Sequence, residues 1–269
     1  MILASASPLG LLLSAAAALA YAVPALGARA MGGVSARRVL LLAWLLHGLL
    51  LAYNLLNGPP RFGFAPALSI TVWLALTVYA VESQLYPQMR ARWALAGFGA
   101  VAIVLALLFP GTALPHTSSP LLPLHWALGI AAYGMFAAAV AHGWLMTRAE
   151  HQMRAASQAV EGGVPLLTLE RLMFRFVGAG FVLLTLTVVV GAFFGEHIYG
   201  ASHTGWRWDH KRVFTLLSWL AFATLLVGRS LFGWRGRRAV HMLYIGAGLL
   251  LLGYAGSRFV LEVLLGRTA

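Results

Sequence analysis

The stretch FVGAGFVLLTLTVVVGAFFG, residues 176–195, contains no charged side chain and decides the class of this protein. An α-helix rises about 1.5 Å per residue, so such a run can cross a hydrocarbon layer about 30 Å thick. Comparable runs recur along the whole chain, in which 61% of the residues are hydrophobic and 10% are charged. A soluble domain carries roughly a quarter charged residues. The composition therefore indicates an integral membrane protein.

Eight apolar runs predict eight transmembrane helices. In lipid the backbone N–H and C=O groups must bond within their own segment, which favours helices. The runs do not alternate with a period of two, which argues against a β-barrel. We predict an all-α polytopic membrane protein, a single transmembrane domain over residues 1–269, with residues 148–169 forming an amphipathic extension of span five and then a turn. The predicted spans are about 8–28, 36–57, 64–85, 92–110, 121–147, 170–195, 212–232 and 239–264.

The basic residues predict the orientation of the bundle. The loops after the first, third, fifth and seventh spans hold most of them, namely Arg29, Arg37, Arg38, Arg90, Arg92, Arg148, Arg154, Arg171, Arg229, Arg235, Arg237 and Arg238. The other loops hold Arg61, Arg207, Lys211 and Arg212. Because cytoplasmic loops carry the excess of Lys and Arg, both termini are predicted to be extracytoplasmic. The net charge of +12 lies in short loops and forms no basic stripe, so we expect no nucleic-acid partner.

The chain has no cysteine. Disulfides, thiolate metal sites and a covalently attached c-type haem, which needs a Cys-x-x-Cys-His run, are therefore excluded on this chain. No basic residue precedes the first apolar run, so we expect that run to be a retained helix and not a cleaved signal peptide.

Nine histidines stand out in a chain with so few charges. A neutral imidazole can ligate haem iron or carry protons, but a lone histidine can also simply hydrogen-bond a neighbouring helix, and both interpretations stay open. His125, near the outer end of span five, and His210, just before span seven, are predicted at the same depth and could face each other across a planar cofactor. His142 lies about 25 Å from His125 along one helix, so the two cannot share an iron. His47 lies about 10 Å deeper than His125. It would therefore belong to another site, to a route through the membrane, or to the packing between helices.

The outer loop before span seven reads Trp206-Arg207-Trp208-Asp209-His210-Lys211 and breaks the charge pattern. Indole faces cover a flat macrocycle, Arg and Lys pair with propionates, and His binds iron. The loop therefore predicts a haem platform. The alternative is that the tryptophans belong to an ordinary interfacial belt and the cations only neutralise Glu196 and Asp209.

These residues resemble a known family. The run 206–211, followed by Leu216-Leu217-Ser218-Trp219-Leu220 and Gly228-Arg229, is similar to the tryptophan-rich signature of CcsA-type cytochrome c assembly proteins. The runs 233–239 and 253–259 also match, as does His125 followed eight residues later by Tyr133. The similarity covers most of the chain and is greatest to the YpjD/HemX-like subgroup of eight-helix relatives.

The resemblance implies a haem-handling protein of the bacterial inner membrane, related to cytochrome c biogenesis, that holds non-covalent haem b near the outer face. Its partners would be the lipid bilayer and an assembly protein or apocytochrome. The implied residues are His125 and His210 as iron ligands, Trp206, Trp208 and Asp209 as the signature platform, and Arg207 and Lys211 as propionate contacts. Less strongly implied are His47 and His203, and His197 is a further possible second ligand.

Three departures distinguish this chain from the full synthases of that family. His210 replaces the signature proline, Val227-Gly228-Arg229 lacks a histidine before the arginine, and no histidine follows the last apolar run. We therefore expect haem handling and not self-sufficient synthase activity, and we assign no catalytic residue. The alternatives are a scaffold or regulator that kept the fold without the chemistry, and a transporter or haem-bearing redox subunit. A transporter is disfavoured because no pair of acids lies in mid-membrane.

Overall fold

A computed structural model describes residues 7–27, 31–57, 61–85, 92–113, 121–155, 165–193, 210–256 and 259. These residues form eight α-helices: seven contain segments long and apolar enough to cross a membrane, and the remaining one contains a shorter apolar segment, Leu95–Leu108. The helices are α1 (Pro8–Leu26), α2 (Gly33–Leu56), α3 (Phe64–Leu85), α4 (Arg92–Leu108), α5 (Leu121–Ala155), α6 (Leu166–Phe193), α7 (His210–Phe232) and α8 (Gly236–Leu251). The predicted all-α polytopic membrane fold is confirmed, and α5 includes the start of the predicted extension.

The chain forms two compact units, the first with α1 to α4 and the second with α5 to α8. In the first unit α1 packs against α2 and α4, and α3 against α2 and α4. The fully buried ring of Tyr21 on α1 lies on Gly99 of α4, where a Cβ atom would stand 2.9 Å from the ring. A missing side chain lets membrane helices approach closely, so this contact holds α1 on α4. Two short strands, β1 (Arg61–Phe62) and β2 (Thr112–Ala113), pair antiparallel.

The centre of the second unit is a pair of stacked aromatic rings. Phe136 of α5 and Phe222 of α7 lie 3.8 Å apart between centroids with an interplanar angle of 4°. Gly180 of α6 and Gly246 of α8 lie against these rings, and a Cβ atom would stand 3.0 Å from Phe136 and 2.8 Å from Phe222. All four helices of this unit therefore meet at the pair, two through rings and two through glycines.

The connection between α7 and α8 is a tight turn that depends on glycine. Gly233 and Gly236 have φ angles of 63° and 58°, a region that other residues rarely adopt. Between them Trp234 folds back, with its backbone N–H donating to the carbonyl of Gly228 at 3.0 Å and its indole covering Gly228. At its other end α8 passes into a π-helical turn, Leu252–Gly256.

We expect Gly246→Ala to lower the free energy of unfolding by about 1–3 kcal/mol, because the added methyl would press into the Phe222 ring. The control is Gly248→Ala on the same helix, where a Cβ atom would meet nothing within 4 Å. That variant should be neutral or more stable by up to about 1 kcal/mol, since alanine is the better helix former. Thermal denaturation of both proteins in detergent measures the difference, and equal midpoints would contradict the proposed packing.

The absence of cysteine allows a direct test of the predicted orientation. A membrane-impermeant maleimide added to intact cells should label Ser202→Cys, in the segment between α6 and α7, and should label Ser157→Cys, between α5 and α6, only after lysis. The reverse pattern would show that the bundle has the opposite orientation.

Candidate functional site

His125 lies one turn into α5, at the end of the second unit that is predicted to face outward. Its half-buried imidazole packs against α6, where a Cβ atom on Gly191 would stand 3.1 Å from Cε1 of the ring. The imidazole also hydrogen-bonds the backbone of Thr187, one turn earlier on α6. Gly191 thus leaves the space in which the ring sits, and Thr187 orients it.

The start of α7 brings cationic and aromatic groups to the same end. His210 and Lys211 are both exposed, and the Nζ atom of Lys211 lies 5.2 Å from the centroid of the Tyr254 ring in the π-helical turn. The charge of Lys211 is close enough to act on the imidazole of His125. Lys211 thus lies within electrostatic reach of His125, and His210 is adjacent to Lys211 in the chain.

Two other residues of the resemblance form hydrogen bonds between helices. The hydroxyl of Tyr133 donates to the carbonyl of Leu250 at 2.6 Å, just before the π-helical turn. The indole Nε1 of Trp219 donates to Oγ1 of Thr185 at 2.9 Å. Neither residue was predicted to have a role. A buried tyrosine or tryptophan in an apolar span normally needs a polar partner, and this signal could have indicated the hydrogen bonds between helices.

Much of the predicted platform lies outside the described residues. Trp206, Arg207, Trp208 and Asp209 fall there, as do His203 and His197. Of the run 206–211, the structure describes only His210 and Lys211.

His47 lies in the first unit and is fully buried. Its Nε2 atom is 2.8 Å from Oγ of Ser69, and its Nδ1 atom is 3.3 Å from the hydroxyl of Tyr21, whose ring meets the imidazole edge-on. Both ring nitrogens are thus engaged, and a metal could bind only if one of these hydrogen bonds broke. Of the three interpretations that the sequence left open, these contacts favour packing.

A charged cluster that the sequence analysis missed lies at the opposite end of the second unit. Glu170 of α6 is buried, and its Oε1 atom lies 2.7 Å from Nη1 of Arg229 and 3.7 Å from Nε of Arg235. Arg229 also lies over the ring of Phe174, 4.7 Å from its centroid. The arginine of the matching Gly228-Arg229 motif therefore ties α7 to α6, whereas the sequence analysis had assigned it only to topology.

The outer end offers one half-buried imidazole, one exposed imidazole, a lysine and an aromatic ring. Imidazole binds haem iron, and ammonium groups pair with propionate carboxylates, so these donors suit a haem. Within the part of the chain that the structure describes, no three His, Cys, Asp or Glu side chains come together to hold a bare metal ion.

Comparison with known proteins places these residues in a family. The sequence model described as "Cytochrome C assembly protein" matches residues 35–265. The inner membrane protein YpjD of Escherichia coli K12 is 29% identical over 169 residues, 62% of this chain and 62% of YpjD. The cytochrome c biogenesis protein CcsA of Thermosynechococcus vestitus is 27% identical over 237 residues, 80% of this chain and 71% of that protein.

A second CcsA, from Synechococcus elongatus, is 36% identical over 89 residues, 33% of this chain and 26% of that protein. The alignment with YpjD spans somewhat less than two thirds of that relative's length. No solved structure matches this chain. Because the family model extends from α2 to beyond the π-helical turn, this chain belongs to the cytochrome c assembly protein family.

Proposed function

We propose that this chain holds non-covalent haem b near the outer face of a bacterial inner membrane, as an assembly factor in cytochrome c biogenesis. Family membership supports the role in biogenesis, and the similarity to the inner membrane protein YpjD supports the location. The observation that carries the proposal is the position of His125. Its half-buried imidazole lies beside Gly191, and the charge of Lys211 acts on it.

His125 is the proposed iron ligand. A ring nitrogen of His125 bonds the backbone of Thr187, and haem iron would be coordinated by the imidazole. A hydrogen bond between the backbone and the ring nitrogen that does not bind the metal fixes the orientation of a metal-bound imidazole. A bound haem would supply an iron that an imidazole nitrogen can coordinate. It would also supply two propionates that form ion pairs with cationic side chains.

The remaining assignments follow from the run 206–211. His210 is the proposed second ligand, with His203 as its alternative, and Lys211 and Arg207 hold the propionates. Trp206, Trp208 and Asp209 form the platform. We leave His47 out of the site because both of its ring nitrogens are engaged.

The protein purified in mild detergent from cells with ample haem should show a Soret band. His125→Ala combined with His210→Ala should weaken haem binding by at least ~100-fold, because losing only a hydrogen-bond partner of a metal ligand already costs about 10–100-fold. His241→Ala is the matched control, because His241 is exposed on α8 near the opposite end of the unit. The proposal would be wrong if the wild type had no Soret band, or if the double variant kept the band unchanged.

Lys211 provides a second, electrostatic test. Lys211→Glu should weaken haem binding several-fold at low salt, because a carboxylate would repel the propionates, and Lys211→Arg should preserve it. Titration with haem at two salt concentrations measures this, since salt screens exposed charges. Equal haem affinities of the two variants at low salt would show that Lys211 is not part of the haem site.

The scaffold alternative has one observation in its favour. The run Val227-Gly228-Arg229 lacks the histidine that the resemblance leads one to expect before the arginine, and Val227, 49% exposed on α7, offers no ligand. A scaffold would remain associated with another membrane protein and would keep its function after Trp206→Ala. The haem proposal expects that variant to lose haem.

A further inference from the structure

A second surface of interest lies at the end of the unit opposite to His125, around the turn 233–235. Both helices that flank the turn contain segments apolar enough to cross a membrane, so the turn lies at a membrane surface. The orientation predicted from arginine distribution makes this the cytoplasmic surface. The turn is held by the backbone bond from Trp234 to Gly228 and by Arg229, which donates to the Trp234 carbonyl at 3.4 Å.

Exposed arginines surround this turn. The side chain of Arg235 is 65% exposed, and Arg237 and Arg238 are exposed in the first turn of α8. The guanidinium of Arg238 lies over the indole of Trp234, 4.0 Å from its centroid, which keeps the group at the surface in a defined place.

Two carboxylates lie near these arginines and offset only part of their charge. Glu170 is buried and is paired with Arg229 at 2.7 Å and, more distantly, with Arg235 at 3.7 Å. Glu150 of α5 has Oε1 3.8 Å from the position that a Cβ atom on Gly236 would take. Against four arginines, Arg229, Arg235, Arg237 and Arg238, two acids leave a positive surface.

Apolar side chains continue the surface toward the lipid. Leu231 and Phe232, in the last turn of α7, are 73% and 72% exposed. A soluble anion would use the arginines alone, whereas a phospholipid would use both parts, its phosphate on the guanidinium groups and its acyl chains on the apolar side chains.

We propose that the surface formed by Leu231, Phe232, Arg235, Arg237 and Arg238 binds the headgroup of an acidic phospholipid of this leaflet. Guanidinium groups pair bidentately with phosphate, and the leaflet facing the cytoplasm carries anionic lipids. A phospholipid bound at this turn would anchor the α7–α8 pair at the membrane surface, independently of any haem bound at the other end.

The test compares binding of phosphatidylglycerol and phosphatidylcholine with identical acyl chains to the full protein in detergent, by native mass spectrometry. We expect a preference for phosphatidylglycerol that weakens as ionic strength rises. Each arginine near a membrane surface contributes roughly a fivefold gain in affinity, so Arg237→Gln with Arg238→Gln should weaken binding by about 25-fold. Arg229 and Arg235, which lie near Glu170, stay intact in this variant.

The matched control is Arg171→Gln with Arg175→Gln, two exposed arginines on α6 near the same end with the same change of charge. That variant should keep the preference. Arg237→Lys with Arg238→Lys keeps the charge and should keep the preference too, with weaker binding because an ammonium group cannot pair bidentately with phosphate. Equal binding of the two lipids by the wild type, or equal losses in the two glutamine variants, would overturn the proposal. Complete displacement of the lipid by inorganic phosphate at the same concentration would show a free-phosphate site and would also overturn it.

Discussion

The stacked pair of Phe136 and Phe222 is the contact on which the second unit depends. Lipid offers no hydrophobic force between helices, so close packing has to hold them together, and here each of four helices supplies a ring or a glycine. The pair also sets the register of the outer end. His125, Gly191 and Lys211 each lie eleven residues from the residue through which their own helix meets the pair. Eleven residues are about three turns, which returns each helix to the same face, so aligning the centre aligns the site.

Hydrogen bonds between helices support that register. Ser218 of α7 donates to the carbonyl of Gly246 at 2.8 Å, at the same level as the contact between Gly246 and Phe222. Bonds of this kind contribute only about 0.6–2 kcal/mol each in a membrane. They matter because a slipped register would break all of them together and would leave polar groups in an apolar interior. In the first unit His47 has the same role between Tyr21 and Ser69.

The sequence predicted the helices well because the information lies within each segment: a charge-free run long enough to cross a bilayer is visible by itself. The common depth of His125 and the start of α7 follows from the constant rise of a helix and stays a prediction. The contacts between faces did not follow, because periodicity does not say which helices become neighbours. Gly180 under Phe136 and Glu170 beside Arg229 are therefore findings of the structure. The platform residues 206–209 lie outside the described residues, so their role rests on the resemblance.

The two ends of the second unit differ in a way that bears on function. At the outer end His210 and Lys211 are exposed and α8 leaves regular geometry in a π-helical turn, a feature common at functional sites. At the opposite end Glu170, Arg229 and Trp234 fasten the helices to one another. Motifs shared with the family occur at both ends, yet the physical reasons for them differ. Gly228-Arg229 is explained by the packing of Trp234 and the ion pair with Glu170, which join α6, α7 and α8. Lys211, from the run 206–211, instead lies over the ring of Tyr254 in the π-helical turn, so at this end the shared motif joins the start of α7 to the end of α8.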